Sequence, residues 1–201
     1  MRLPLSLVAL VLAACPPAPI PGDENMGLYS MNAVPQVLAD GGVGCDIADT
    51  AIARGGFDFD ATLSRNAKTT DAFITMSGVH REGTWDGQYL LSVASAQRVF
   101  QACRDCTTRV EETMQFALLS RSQNDAVGQA CPEHPLDGGV PAPDADAGIT
   151  PPGLTELGFD GIRVCGEIRT RVLAVALVDG GACPDVCSQC AVQYRLTGVR
   201  R

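Results

Sequence analysis

The chain has 201 residues, 46% hydrophobic and 5% aromatic, with nine cysteines and a formal net charge of −8. That length holds one domain of ordinary core size and would cramp two, and the hydrophobic fraction excludes wholesale disorder, a collagen-like chain and a polytopic membrane protein. Fifteen basic residues against 23 acidic ones, with no Lys/Arg cluster beyond Arg200 and Arg201, leave no footprint for a nucleic acid, so no nucleic-acid partner is expected.

Met1 and Arg2 make a short positive n-region, and Leu3 to Ala14 is an uncharged apolar run of 12 residues. A bilayer-spanning helix needs ~20, so the run reads as an export signal. It ends Leu12-Ala13-Ala14-Cys15, which resembles the lipobox of bacterial lipoproteins, where small residues let a dedicated peptidase reach the bond before the cysteine. The resemblance covers these first 15 residues. It implies a diacylglyceryl group on the Cys15 sulfur, cleavage before Cys15 and acylation of its new amino group. Cleavage would remove Arg2 with the signal and leave 187 residues at −9. Several acyl chains, at ~0.8 kcal/mol per buried CH₂, hold a protein on a membrane nearly permanently. Pro16 stands where lipoproteins retained at the inner membrane of enteric bacteria carry Asp, so the resemblance implies the outer membrane.

Pro16-Pro17-Ala18-Pro19-Ile20-Pro21 and the polar residues to Asn25 compose an extended, semi-rigid spacer. The organisation read from the sequence is a signal peptide at 1–14, a lipidated cysteine with its tether at 15–26, and one β domain at 27–201. Within that domain the apolar residues recur mostly with period two. The predicted strands are Leu28 to Val34, Phe57 to Ser64, Phe73 to Gly78, Val79 to Trp85, Tyr89 to Phe100, Arg109 to Leu119, Ile162 to Val178 and Ala191 to Val199. Asp86-Gly87 carries the signal of a two-residue type I′ hairpin turn. Arg109 to Ser120 is ambiguous: Val110, Met114, Phe116 and Leu118 alternate as in a strand, but Glu111, Glu112, Gln115 and Ala117 favour helix. Residues 132–153 form a long loop rich in Pro, Gly and Asp, whose composition favours disorder. The fold class expected is mainly β, a single antiparallel domain, with an up-and-down barrel or meander favoured over a two-sheet sandwich.

With Cys15 lipidated, eight cysteines remain: Cys45, Cys103, Cys106, Cys131, Cys165, Cys183, Cys187 and Cys190. An even number in an exported, oxidising compartment reads as four disulfides of open connectivity, each stabilising by ~2 to 4 kcal/mol. Two rivals use the CxxC spacings. Cys103, Cys106, Cys187 and Cys190 could bind one zinc ion as four thiolates, although about 80 residues separate the pairs. A redox-active pair would need a helix N-terminus after the CxxC to lower the thiolate pKa, available only if Arg109 to Ser120 is helical.

Other constellations read as structural. His80 lies beside a strand and His134 in the long loop, poor places to hold a catalytic base against a nucleophile. GxSxG, HExxH, P-loop and GxGxxG motifs do not occur. Asp58 and Asp60 alternate on one strand face and read as surface acids. Asp144-Ala145-Asp146-Ala147-Gly148 starts like a calcium loop, but Thr155 stands where the closing glutamate belongs. Tyr29, Trp85 and Tyr89 could line a groove, and read better as core or barrel end-plugs. The expectation is therefore a lipid-anchored envelope lipoprotein without catalytic residues, metal or cofactor, acting as an interaction or structural module. Its partners would be the membrane, through the anchor, and an envelope protein or small apolar ligand. The alternatives are a lipocalin-like carrier and an extracytoplasmic thiol-disulfide enzyme.

Overall fold

Met26, Tyr29, Met31 and Ala33 are buried, while Leu28, Asn32 and Val34 between them face water, and the backbone follows that alternation as strand β1 (Glu24–Gln36). In the computed structural model, which describes residues 20–36, 55–98, 106–177 and 190–201, β1 is followed by β2 (Phe57–Arg65), β3 (Asp71–Met76), β4 (Val79–Trp85), β5 (Tyr89–Arg98) and β6 (Cys106–Ser120). Helix α1 (Arg121–Ala126), the short pair β7 (Leu154–Thr155) and β8 (Gly158–Phe159), then β9 (Gly161–Leu177) and β10 (Cys190–Arg200) complete the chain. Strands β1 to β6, β9 and β10 close a barrel in which every sequential neighbour pairs antiparallel and β10 returns to β1. This is the up-and-down barrel that the period-two pattern predicts.

β1 begins earlier than expected. Asp23 N–H donates to the Arg65 carbonyl at 3.1 Å and Met26 is fully buried, so Glu24 to Met26 belong to the barrel rather than to the tether. A bulge between Asn25 and Gly27 lets β1 turn in at this point, with Gly27 at φ +123°. The ambiguous segment is strand β6 along its whole length, paired to β5 on one side and β9 on the other. Burial decides it: Met114, Phe116 and Leu118 point into the barrel, and Ala117 and Leu119 are buried on the outer side. Helix starts only at Arg121, where Ser120 and Gln123 form a capping box.

The type I′ turn lies one hairpin before its predicted place. Met76 pairs with Val79, and Ser77 and Gly78 between them both have positive φ, +49° and +79°, as type I′ requires. At Asp86-Gly87 only Gly87 has positive φ. Asp86 instead organises that turn through its carboxylate, which accepts the N–H groups of Gln88 (2.9 Å) and Tyr89 (2.7 Å).

The long loop is docked, not disordered. Val140 is buried on the outer barrel face with Ala117, Leu119 and Cys165, and Tyr89, Val127 and Cys131 pack against them. The Cys131–Cys165 disulfide joins the loop to β9, and the Gln123 amide donates to the Pro141 carbonyl at 2.9 Å. Val140, the disulfide and the Gln123–Pro141 hydrogen bond hold the loop against the barrel.

The two ends of the barrel differ. Where β1 starts and β10 finishes, Met26, Tyr29, Trp85 and Phe159 are buried together and fill the interior. Trp85 and Phe159 meet edge to face at 6.4 Å, and the Arg65 guanidinium sits 5.6 Å over the Phe159 ring. Tyr29 Oη donates to the Gly161 carbonyl at 2.7 Å, and the Arg200 guanidinium donates to the Phe159 carbonyl. This is the plug end. At the opposite end, the mouth, the Ser77-Gly78 turn joins β3 to β4, and β1, β5 and β9 each finish while β2, β6 and β10 each begin.

Candidate functional site

Towards the mouth some interior-facing side chains keep solvent exposure while neighbours such as Ala33, Val172 and Tyr194 stay buried. On one wall Phe57 and Phe59 of β2 stack at 5.6 Å, and Phe57 meets Tyr194 of β10 edge to face at 5.3 Å. Their cross-strand partners Ala33 and Met31 are interior residues, so this wall faces inward, yet Phe57 is 38% exposed. On the other wall Arg81 of β4, whose partner Ile74 is fully buried, forms an ion pair with Glu112 of β6. The Arg81 guanidinium also lies 3.9 Å from Met114 Sδ, and burial lowers its pKa. Both partners keep about a quarter of their side-chain surface in solvent, 26% and 29%, although both point into the barrel. Water therefore reaches down to this pair.

A second polar site lies outside the barrel. Residues Glu133 to Asp137 of the docked loop overhang the outer face of β6, β9 and β10, and enclose a cleft of about 680 Å³. Its floor is Gln115, Glu167, Gln193 and Arg195, set side by side by the registers Gln115 with Glu167 and Glu167 with Arg195. The Gln193 amide donates to the Glu167 carboxylate, and the Arg195 guanidinium donates to the Pro132 carbonyl at 3.4 Å. His134 is thus in a cleft with one cation and three carboxylates, Glu133, Asp137 and Glu167, where the sequence placed it in a bare loop.

Asp58 and Asp60 do share one outer face, over a shallow depression of about 420 Å³, and each has its own partner. Asn32 Nδ2 donates to Asp58 at 2.7 Å, Ser30 Oγ donates to Asp60 at 3.0 Å, and Arg201 pairs with Asp60 at 3.1 Å. They act as cross-strand links between β1, β2 and the C-terminus. Asp144 is likewise used by the backbone, its carboxylate accepting from Asp146 and Ala147 N–H while Asp144 and Ile149 exchange main-chain bonds. His80 Nδ1 is 2.9 Å from Thr75 Oγ1 on the exposed β3–β4 hairpin. Of the three aromatic residues suspected of sharing a groove, Tyr29 and Trp85 are in the plug and Tyr89 packs on the outer face, so they line nothing together.

Of the eight candidate disulfide cysteines, Cys131 pairs with Cys165 and Cys190 is also disulfide-bonded. Cys190 is thereby removed from the four-thiolate zinc set. Cys106 opens β6, so a strand and not a helix N-terminus follows the first CxxC. Cys15, Cys45, Cys103, Cys183 and Cys187 lie outside the described residues. Among the described residues no group of three or more His, Cys, Asp and Glu is placed to hold a metal ion.

Sequence reasoning missed the Arg81–Glu112 pair and the outer cleft. The first had a signal: Arg81 has the parity of Trp85, and Glu112 that of Met114, Phe116 and Leu118, so both fall on interior positions. The cleft had none, because it needs the docking of the loop. Comparisons with protein-family models, with curated proteins and with solved structures give no match to this chain.

Proposed function

We propose that this protein is a lipid-anchored lipoprotein of the outer membrane whose barrel works without catalysis, as an interaction or structural module of the envelope. The observation that carries the reading is the apolar signal ending in Leu12-Ala13-Ala14-Cys15 and followed by a proline-rich spacer. The spacer reaches the barrel at its plug end, where β1 starts. An anchor at Cys15 therefore presents the mouth and the outer cleft away from lipid. The test is Cys15→Ser in the full chain with acyl labelling. Acylation of the wild type only, with the variant moving to the soluble fraction, is expected. An unlabelled wild type, or a Cys15→Ser variant that stays acylated and membrane-bound, overturns the reading.

A carrier role is the second reading, favoured by the solvent-reached mouth with Phe57, Phe59 and Tyr194 opposite Arg81 and Glu112. A ligand with an apolar body and a polar end suits those walls. The packed plug end limits it to the mouth half of the barrel. An apolar fluorophore should bind the wild type and lose at least fivefold in affinity on Phe57→Ala. Equal binding by both proteins refutes a carrier site there.

A further inference from the structure

The β7–β8 hairpin holds two leucines out in water: Leu157 at its tip is 99% exposed and Leu154 is 67% exposed. Single exposed apolar residues are ordinary on a soluble protein, and what distinguishes these two is how firmly they are held and where. Thr155 pairs with Gly158, Thr155 Oγ1 donates to the Gly158 carbonyl at 2.7 Å and accepts the Leu157 N–H at 3.2 Å, and Gly158 takes φ +104°. The next residue, Phe159, is buried in the plug with its carbonyl held by Arg200. One six-residue unit thus buries a phenylalanine in the barrel and leaves Leu154, Glu156 and Leu157 exposed on a hydrogen-bonded turn, so the two leucines meet a partner at little ordering cost.

The hairpin stands at the plug end, the end from which the chain leads back through Ile20, itself 43% exposed, to Cys15. Only five residues lead from Cys15 to Ile20, a stretch that can span at most about 18 Å at ~3.3–3.6 Å per residue. We propose that the β7–β8 tip, with Leu154 and Leu157, seats in the interface of the same bilayer that holds the acyl anchor, so that the barrel stands on the membrane with its mouth outward. The proposal rests on the lipoprotein reading of Cys15. Two leucines are too small a contact to bind a membrane unaided, but a short tether supplies them at an effective concentration in the millimolar range, so they act by orienting a protein already held. The tip carries the exposed Glu156 between its two leucines, and the chain has no basic cluster and a net charge of −8, so the matching surface is the zwitterionic headgroup interface rather than a strongly anionic one.

The experiment uses the full, acylated chain in phosphatidylcholine vesicles, with acyl labelling measured on the same sample. Leu157→Trp places a reporter at the tip. Val79→Trp places one on the opposite hairpin, at a position 63% exposed, and the buried Trp85 of the wild type gives the background. Brominated phosphatidylcholine should quench the tip indole at least twofold and leave the Val79→Trp indole at background. An acylated protein whose tip indole is unquenched, or whose two reporters are quenched alike, overturns the docking and leaves the anchor standing. Absence of acylation overturns the anchor and the docking with it. A tip emission that shifts with protein concentration before vesicles are added assigns the leucines to a second copy of the chain and also overturns the proposal.

Discussion

Arg81 on β4 and Glu112 on β6 form an ion pair inside the barrel across the intervening strand β5, the guanidinium also touching the sulfur of Met114. The pair lies towards the mouth, where some interior-facing side chains keep solvent exposure. Half-burial strengthens its attraction over that of a surface pair, and equally makes either partner costly to leave alone.

Removing one partner should therefore cost more than removing both. Arg81→Met, leaving the Glu112 carboxylate without its cation, and Glu112→Leu, leaving the guanidinium, should each lower stability by about 1–2 kcal/mol, a range reduced from that of fully buried pairs because water reaches the site. The double variant should return to within about 1 kcal/mol of the wild type, because apolar side chains of similar size replace both charges. Urea unfolding of the four proteins measures the cycle. Additive losses would show that the two side chains are not coupled.

A second outcome concerns alkaline pH. Tyr29 has its phenol pKa raised well above the usual value near 10 by burial in the plug; the Arg200 charge offsets part of that rise, and the lesser effect of the Asp160 charge adds to it. Burial raises Tyr194 in the same direction, and burial with the Asp86 charge raises Tyr89. A folded phenol that titrates above the unfolded one contributes stability that is fully present below pH ~10 and lost as pH rises past it, because the unfolded chain then binds fewer protons. Tyr29 alone sets a slope of up to ~1.4 kcal/mol per pH unit there. Tyr29→Phe should be about 1–2 kcal/mol less stable at pH 7, since the buried Gly161 carbonyl loses its donor, and should show a flatter decline above pH 10. Denaturant midpoints from pH 7 to 11 check both, and parallel curves would place the titration elsewhere.

How far the sequence carried the fold follows from which interactions are local. Alternations such as Tyr29, Met31, Ala33 and Phe57, Phe59, Ala61 need only a two-residue period and one buried face, and with sequential hairpins they implied the meander that closes here into a barrel. At Arg109 to Ser120 local propensity and tertiary burial pull apart, and pairing on both sides wins. The α1 start is legible in the sequence, where Ser120 and Gln123 carry the spacing of a capping box. Asp86-Gly87 carries the stronger local signal of a type I′ turn, while the register of β3 with β4 selects Ser77-Gly78. The outer cleft could not be read at all, since Glu133 and His134 are 30 or more positions from Glu167 and about 60 from Gln193 and Arg195, and only the docked loop joins them.

That docking leads to the last expectation. The Cys131–Cys165 bridge spans a separation of 34 residues that includes the whole Pro/Gly/Asp-rich loop, and loop closure over that length corresponds to about 3–4 kcal/mol in the chain-entropy picture. The bridge is not the loop's sole hold, because Val140 remains in its apolar site and Gln123 still reaches the Pro141 carbonyl. A Cys131→Ser/Cys165→Ser double variant should consequently fold to the same barrel, lose about 2–4 kcal/mol, and become open to proteolysis within 132–153 while the barrel strands stay resistant. The cleft over Glu167 and Arg195 should open with the loop, giving faster amide exchange at Glu133 to Asp137. Denaturant unfolding gives the loss, and limited proteolysis with hydrogen exchange locates it. A variant as stable and as resistant as the wild type would mean that apolar docking alone holds the loop, and that the disulfide only records a contact the chain makes without it.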